Sequence, residues 1–477
     1  MEEQYQHERM KKLEALRERG VDPYGGRYDD VQPIGDVLAA YEEGRAVRVA
    51  GRVLAVRNFG KAAFLDLRDG TGKMQVYVRK NLVGEEAFGL FELTDLGDII
   101  GVEGELGKTK TGEVSVFANG YRLLSKALLP PPEKWHGLKD VELRYRRRYV
   151  DLFANPDVMR TFRMRTRIIS EMRRYLDDRG FLEVETPMMQ ALPGGAAARP
   201  FITHHNTLDM DLYLRVSPEL YLKRLLVGGM EKVYEINRNF RNEGISTRHN
   251  PEFTMIEVYQ AYADYRVMMA LTEGVISHAV GAACESNEIE FGEHQLDMTP
   301  PWPRRKWNDL LVEHAGVGLD DQEGLRRRAR ELERDPEGDP AVVADRLFEA
   351  CVEQNLVQPT FVVDYPVAIC PLTKSCPDDA RFAERFELYI AGTELANAYT
   401  ELNDPLDQER RFRDQVKQAE GEVRAVDEDF LTALKVGMPP AGGLGIGIDR
   451  LIMVLTNSPS IRDVILFPLL RQGAENE

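Results

Sequence analysis

At 477 residues, with 43% hydrophobic and 30% charged side chains, the chain can build two or three cored domains, and wholesale disorder is excluded. A net charge of −17 excludes nucleic-acid binding by overall attraction, so any such contact needs a local basic surface. No apolar run approaches the ~18 residues of a membrane span, and the acidic opening Met1-Glu2-Glu3 lacks the apolar core of a signal peptide. The scattered Cys284, Cys351, Cys370 and Cys376 lack paired Cys-x-x-Cys knuckles, which points to thiols in a reducing cytoplasm. The pair His204-His205 has no helical His-x-x-x-His companion to suggest a metal.

In chain order, Met10, Leu13 and Leu16 recur at helical spacing and predict an amphipathic helix over 1–20, stopped by Gly20, Pro23, Gly25 and Gly26. From Ala46 the period becomes two, and 47–57, 63–73 and 74–78 predict three strands with glycine-containing turns. A helical patch at 85–93 separates them from two further strands, 98–106 and 113–118. That order is the order of a small five-stranded Greek-key barrel, a type that often binds oligonucleotides on its open face. Another small β-domain fits the same pattern. Phe64, Gln75 and Glu113 have the chemistry to stack on or hydrogen-bond a base; equally, Phe64 is core and the other two are solvated.

Pro130-Pro131-Pro132 and Trp135-His136-Gly137 mark a domain boundary, giving an N-terminal domain over 1–142, a hinge over 143–160 and a second domain over 161–477. The basic run Arg144–Arg148 in the hinge either touches phosphate or opens a solvated helix. A long helix is expected over 161–180, with Ile168, Ile169, Met172 and Leu176 apolar, then a strand at 181–187 closed by Pro187. A further strand at 212–217 leads to Pro218, which opens a helix carrying Glu219.

Residues 233–262 read as two strands joined by a loop. Glu235, Asn237, Asn239, Arg241 and Glu243 share one face, and the return strand aligns Phe253, Met255, Glu257 and Tyr259. Arg248, His249 and Asn250 lie in the loop. Such a face is either solvated or the wall of a polar site, and its mix of Arg, Glu and aromatic groups suits a nucleoside triphosphate beside a cationic ligand. Residues 264–360 read as an inserted, mainly helical segment with no visible chemistry. Strands follow at 358–366, 385–390 and 393–402, the last with Asn397, Tyr399 and Glu401 on one face, then helices at 411–420 and 427–435. The glycine-rich stretch 439–450 predicts a strand entering a helix, with Asp449 as N-cap and Arg450 at the first position. A phosphate loop is its rival, but no Gly-Lys-Ser/Thr follows.

Three blocks then agree. Arg-Gly-Phe-Leu-Glu-Val-Glu-Thr-Pro (179–187), Phe-Arg-Asn-Glu (240–243) with Arg-His-Asn-Pro-Glu-Phe (248–253), and Gly-Leu-Gly-Ile-Gly-Ile-Asp-Arg (443–450) resemble, in order, the three signatures of class II aminoacyl-tRNA synthetases. Pro-Gly-Gly-Ala-Ala-Ala-Arg-Pro-Phe-Ile-Thr-His-His-Asn (193–206) and Pro-Glu-Leu-Tyr-Leu-Lys-Arg-Leu (218–225) are similar to the lysyl branch of that family, and the likeness covers nearly the whole chain. The resemblance implies an α+β protein. It would have an OB-type anticodon-binding barrel, then a catalytic domain with an antiparallel six- or seven-stranded sheet flanked by helices. It also implies a cytoplasmic homodimer built through the first signature, acting on L-lysine, ATP and tRNA(Lys) and not on membranes.

The same resemblance implies the site. Arg241 would hold the α-phosphate and the lysine carboxylate, Arg248 and His249 the outer phosphates, and Phe253 and Arg450 would sandwich adenine, with Arg450 also reaching the γ-phosphate. Glu243 would read the adenine amino group, with Asn250 close by, and Glu387 and Glu394 would hold Mg2+ on the phosphates. Glu257, Tyr259 and Glu401 correspond to the ε-amino clamp, Gly195 and Glu219 to the α-amino site, and Asn397 to a carboxylate contact, with Tyr399 beside them. Aspartate- and asparagine-specific relatives would need a cation where Glu257 and Glu401 stand, so lysine is the expected substrate. Phe64, Gln75 and Glu113 fall where the family reads the anticodon. Ala396 and Ala398 depart from glycines common in bacterial members; Ala396 also occurs in shorter, barrel-less paralogues that lysylate a protein.

Overall fold

The computed structural model describes residues 2–131, 140–196, 198–418 and 426–471; the expected boundary marker Trp135-His136-Gly137 lies outside them, as do Pro132 and Ala197. The chain forms two compact units, Met1–Met159 and Arg160–Glu477.

The first unit is a closed barrel of β1 (Ala46–Asn58), β2 (Ala62–Arg68), β3 (Lys73–Arg79), β4 (Ile99–Lys108) and β5 (Val114–Ser125), in the order β1-β2-β3-β5-β4. Alternation decides what points inward: Ala63, Leu65 and Leu67 are fully buried, as are Val76, Val78 and Val102. Phe64 therefore faces outward, which excludes its core alternative. Its ring lies 4.8 Å from Tyr77, itself 5.4 Å from Phe117, so the outside of the barrel carries an aromatic strip. Gln75 is buried rather than solvated: Ser115 Oγ donates to its Oε1 at 2.7 Å, and its Nε2 donates to Glu113 Oε2 at 2.7 Å.

The helix Glu2–Glu18 packs through Leu13 and Leu16, but Met10 is exposed. Arg9 takes the buried position instead, because its guanidinium donates to the carbonyls of Ala127, Leu129 and Leu96 at 2.8, 3.1 and 2.9 Å. In the basic run, Arg148 is fully buried and pairs with Asp151 at 2.7 Å, so for this residue neither phosphate contact nor solvation holds.

The second unit is built on an eight-stranded sheet. In chain order the strands of this unit are β6 (Leu182–Glu183), β7 (Met189–Gln190), β8 (Ile202–His205), β9 (Met210–Leu214), β10 (Lys232–Phe240), β11 (Glu252–Ala261), β12 (Glu288–Phe291), β13 (His294–Asp297), β14 (Arg304–Lys306), β15 (Thr360–Pro366), β16 (Phe382–Ile390), β17 (Thr393–Thr400) and β18 (Ala441–Gly447). The large sheet takes them in the order β14-β15-β16-β17-β18-β11-β10-β6, while β7, β9 and β8 form a small sheet of their own. The central strands pair antiparallel, whereas β6 and β14 join the edges in parallel. The sheet is thus larger and more mixed than the six or seven antiparallel strands expected. The strand expected at 181–187 forms only over Leu182–Glu183, and Arg304–Lys306 is too short for a period of two to show.

One face of the sheet is covered by the helices Pro156–Asp177, Tyr265–Ala283 and Ile448–Leu455, whose Ile168, Met172, Leu176, Ile276, Val280 and Ile452 share a core with Phe386, Leu444 and Ile446. The long helix starts earlier than the expected 161. The segment 264–360 also differs from expectation. Its first helix belongs to this main core, and it contributes the hairpin Glu288–Phe291/His294–Asp297 and the edge strand β14. Only its later helices form a separate cluster, around Trp307 stacked on Phe348 at 5.1 Å.

Candidate active site

The other face of the sheet is polar and inward. Glu235, Asn237 and Asn239 are nearly fully buried, so the solvated alternative for this face is excluded. Strand register then sets rows of side chains across the sheet. One row runs Glu235, Glu257, Gly445, Asn397, Glu387; the next runs Val233, Tyr259, Gly443, Tyr399, Arg385. In both, the central strand β18 contributes glycine, and the neighbouring side chains close over it. A Cβ on Gly443 would stand 1.9 Å from Glu401 Oε1 and 2.6 Å from Tyr259 Cε1; one on Gly445 would stand 3.2 Å from Met255 Cε. These glycines therefore make room for side chains, not for a phosphate loop.

At the hairpin end lies an open cavity lined by Arg241, Glu243, Arg248, His249, Asn250, Phe253, Glu394, Asn397 and Arg450. Most of the residues expected around ATP come together here. The Arg241 guanidinium lies 5.1 Å over the Phe253 ring, so Arg241, rather than Arg450, covers the ring expected to stack on adenine. Burial lowers the proton affinity of Arg241, with Glu243 and Glu394 opposing, and its Nε has no hydrogen-bond partner among the described residues. Arg450 donates to the Glu394 carbonyl at 2.7 Å, pairs with its carboxylate at 3.2 Å and approaches His249 Nε2 at 3.4 Å. Burial and then Arg450 push His249 below its usual range, with Glu243 opposing and Arg241 and Arg248 adding to the fall. Asn250 Nδ2 donates to the Glu252 carbonyl at 2.6 Å, while its buried Oδ1 has no partner among the described residues. Asp449 is not the N-cap of its helix: Gly447 is, and the Asp449 carboxylate accepts from the Thr254 N–H at 2.7 Å and pairs with Arg165 at 2.6 Å. This bond fixes the end of the helix, and with it Arg450, to the return strand β11.

Glu387 does not line this cavity. It is enclosed by Arg385 and by the hydroxyls of Tyr365 and Tyr389, which donate to it at 2.8 and 2.7 Å. Burial raises its proton affinity, Arg385 opposes, and the charge of Glu394 raises it further. Among the described residues no group of three His, Cys, Asp or Glu side chains gathers around a common point.

Around Gly443 lies a second cluster of buried Glu219, Glu257, Tyr259 and Glu401, with Tyr399 half-buried beside them; none of these lines the open cavity. Glu257 accepts from Ser217 Oγ at 3.1 Å and from Tyr259 Oη at 3.2 Å. Burial pushes its carboxyl up to about 8, with Glu219 adding to the rise. Tyr399 Oη donates to Glu219 Oε1 at 2.6 Å. Gly195 has φ +86°, and a Cβ there would press within 3.2 Å of Ser217 and Glu219, so glycine brings the backbone directly against this end of the cluster. Among the described residues neither oxygen of Glu401 receives a well-directed hydrogen bond, although the side chain is completely buried.

Sequence reasoning missed the cation inside this cluster. Lys223, on the helix Glu219–Val227, is fully buried; its ammonium bonds Glu219 Oε1 at 2.6 Å and pairs with Glu401. Its spacing of four residues from Glu219 was the available signal. Ser217 and Arg385 were missed too, having no local pattern to reveal them.

The family described as "tRNA synthetases class II (D, K and N)" matches residues 140–471, and "OB-fold nucleic acid binding domain" matches residues 47–124. The lysine–tRNA ligase of Pelotomaculum thermopropionicum is 56% identical over 97% of this chain and 94% of its own. That of Bacillus subtilis is 52% identical over 97% and 96%, and that of Moorella thermoacetica 53% over 98% of both.

Proposed function

Given that the chain belongs to the lysine–tRNA ligases, within the class II tRNA synthetases, we propose how its residues divide the work. The reaction activates L-lysine with ATP, releasing pyrophosphate, and then esterifies the 3′ end of tRNA(Lys). In the first step the lysine carboxylate attacks the α-phosphorus and pyrophosphate leaves. Charge develops on the phosphoryl oxygens, so positioning and cationic stabilisation carry the rate. Arg241 holds the α-phosphate and the lysine carboxylate, and its buried, unpartnered Nε supports that role. Arg248, His249 and Arg450 take the outer phosphates, Phe253 stacks on adenine, and Glu243 and Asn250 meet the base. For this, the Arg241 guanidinium leaves the Phe253 ring it covers.

Glu387 and Glu394 fit a divalent cation: the charge of Glu394 raises the proton affinity of Glu387, a like-charge proximity that a cation relieves. When bound there, Mg2+ supplies Lewis-acid neutralisation of the phosphate oxygens. Substrate lysine lies along Gly443 and Gly445, its carboxylate toward Arg241 and Asn397, its α-ammonium on Glu219 beside Gly195. Its ε-ammonium lies among Glu257, Tyr259, Tyr399 and Glu401. Phe64, Gln75 and Glu113 read the anticodon, a role supported by the outward-facing, half-buried aromatic strip with Tyr77 and Phe117. A homodimer through residues 179–187 and their neighbours belongs to the same proposal, supported by the exposed Leu182, Met188, Met189 and Ile202. So does work in the cytoplasm, where translation occurs.

The observation that carries the reading is that the glycines of one strand lie between an arginine-lined cavity and a buried acidic cluster, Gly445 lining the first and Gly443 underlying the second. ATP–pyrophosphate exchange, assayed across all amino acids, is expected to respond to lysine; a flat response would leave only a non-catalytic, RNA-binding role.

A further inference from the structure

A carboxylate cluster meant for ammonium groups should be short of cations, yet this one already holds a lysine of its own. The Lys223 ammonium touches both Glu219 and Glu401, the carboxylates assigned to opposite ends of the substrate, and has no exposed surface. Its charged form is secure: burial works against it, but Glu219 and Glu401 outweigh burial and raise its proton affinity. The Tyr399 ring lies 5.5 Å from the ammonium, and the Tyr399 hydroxyl shares Glu219 Oε1 with it.

We propose that Lys223 is a positioning residue for amino-acid selection, a resident ammonium that bridges Glu219 and Glu401 and so sets both the spacing and the net charge of the pocket. The inference rests on the lysine-binding reading above. Two physical consequences follow from it. First, the two carboxylates are held on one ammonium, so their separation is limited to what a single Nζ can span, and a substrate with two ammonium groups must fit that fixed frame. Second, ionised Glu219, Glu257 and Glu401 carry three negative charges, Lys223 balances one, and the two ammonium groups of lysine balance the other two. An amino acid with one ammonium leaves a buried carboxylate without a counter-charge. The groups facing the ammonium site are Glu219 and Lys223 from their helix, Glu257 and Tyr259 from β11, and Tyr399 and Glu401 from the β17 side. Among them Lys223 is the sole cation within the described residues.

The test uses the intact protein: pyrophosphate exchange against lysine and against ATP from about pH 6.5 to about 9.5, for wild type, K223M and K223R. K223M, close in volume and uncharged, is expected to raise the KM for lysine at least about tenfold near neutrality, because carboxylates without their counter-ion hold protons that the substrate must displace. The loss should diminish toward alkaline pH as the carboxylates ionise unaided, while the KM for ATP stays within about twofold. K223R, which keeps the charge, should retain the wild-type pH position even if its rate falls. Should K223M fail to fold by thermal melting, K223Q is read in the same way. Unchanged lysine KM in K223M, tighter lysine binding, or a pH-independent loss shared equally by lysine and ATP each overturns the proposal. Wild-type protein that does not respond to lysine overturns the underlying reading instead, which keeps the two failures apart.

Discussion

Gly443 is where a single methyl group should separate lysine recognition from ATP binding. In G443A the new Cβ would stand 1.9 Å from Glu401 Oε1 and 2.6 Å from Tyr259 Cε1, against the 3.4–4 Å of ordinary contact. Glu401 has no exposed surface and Tyr259 almost none, so neither can relax toward solvent, and the carboxylate must retreat by more than an ångström. Overpacking of this kind costs about 1–3 kcal/mol. Losing a charge-assisted hydrogen bond to the substrate ammonium costs about 1.5–3 kcal/mol more. Together, at about 2.5–6 kcal/mol, they place the loss in kcat/KM for lysine at roughly 10²–10⁴-fold. Gly443 is not part of the arginine-lined cavity, so the KM for ATP should change by less than about twofold. Pyrophosphate exchange with each substrate varied in turn, with thermal melting as a check of folding, measures both. Wild-type lysine kinetics in a folded G443A protein would refute the packing argument, and a parallel rise in the KM for ATP would refute the separation of the two subsites.

E401Q keeps the volume and removes the charge; breaking a buried pair costs about 3–5 kcal/mol, so lysine activation should fall roughly 10²–10³-fold while calorimetry still detects ATP binding. Equal loss of both would show that the ammonium clamp is misassigned. The Glu257 carboxyl, pushed up to about 8 by burial with Glu219 adding, must ionise to hold an ammonium, so lysine affinity should strengthen as pH rises from about 7 through 8. Titration calorimetry in buffers of different ionisation enthalpy should register proton release on lysine binding near neutrality; its absence would count against the buried site. The same group binds a proton more tightly folded than unfolded, so its contribution to the stability of the lysine-free protein is lost as pH rises from 4.5 toward about 8. F64A removes a stacking face outside the barrel core, worth about 1–3 kcal/mol per base, and should raise the KM for tRNA roughly 5–150-fold with pyrophosphate exchange intact. A matching fall in exchange would mean that Phe64 acts on folding instead.

Much of this protein is written locally. The period of two from Ala46 onward gives the barrel strands, because alternate residues face a small apolar interior. The shared polar face of 235–243 and 253–259 and the glycine run of 442–447 are likewise local patterns, and they name most of the residues found around the cavity. What local pattern cannot supply is the identity of a partner far along the chain. Arg9 and Lys223 look like solvated charges until the fold brings them distant carbonyls or carboxylates. Asp449 looks like a helix cap until Arg165 and the Thr254 amide claim it. The edge strand at Arg304–Lys306 exists only because a longer neighbour offers it a ladder.

The sequence by itself determined the chemistry available to the site, since residue type and spacing settle which groups are charged, aromatic or absent. Only the tertiary structure decided which charges meet. Strand register and burial brought Glu401 over Gly443 and beneath Lys223, and in a medium that screens poorly that meeting sets what the pocket can hold.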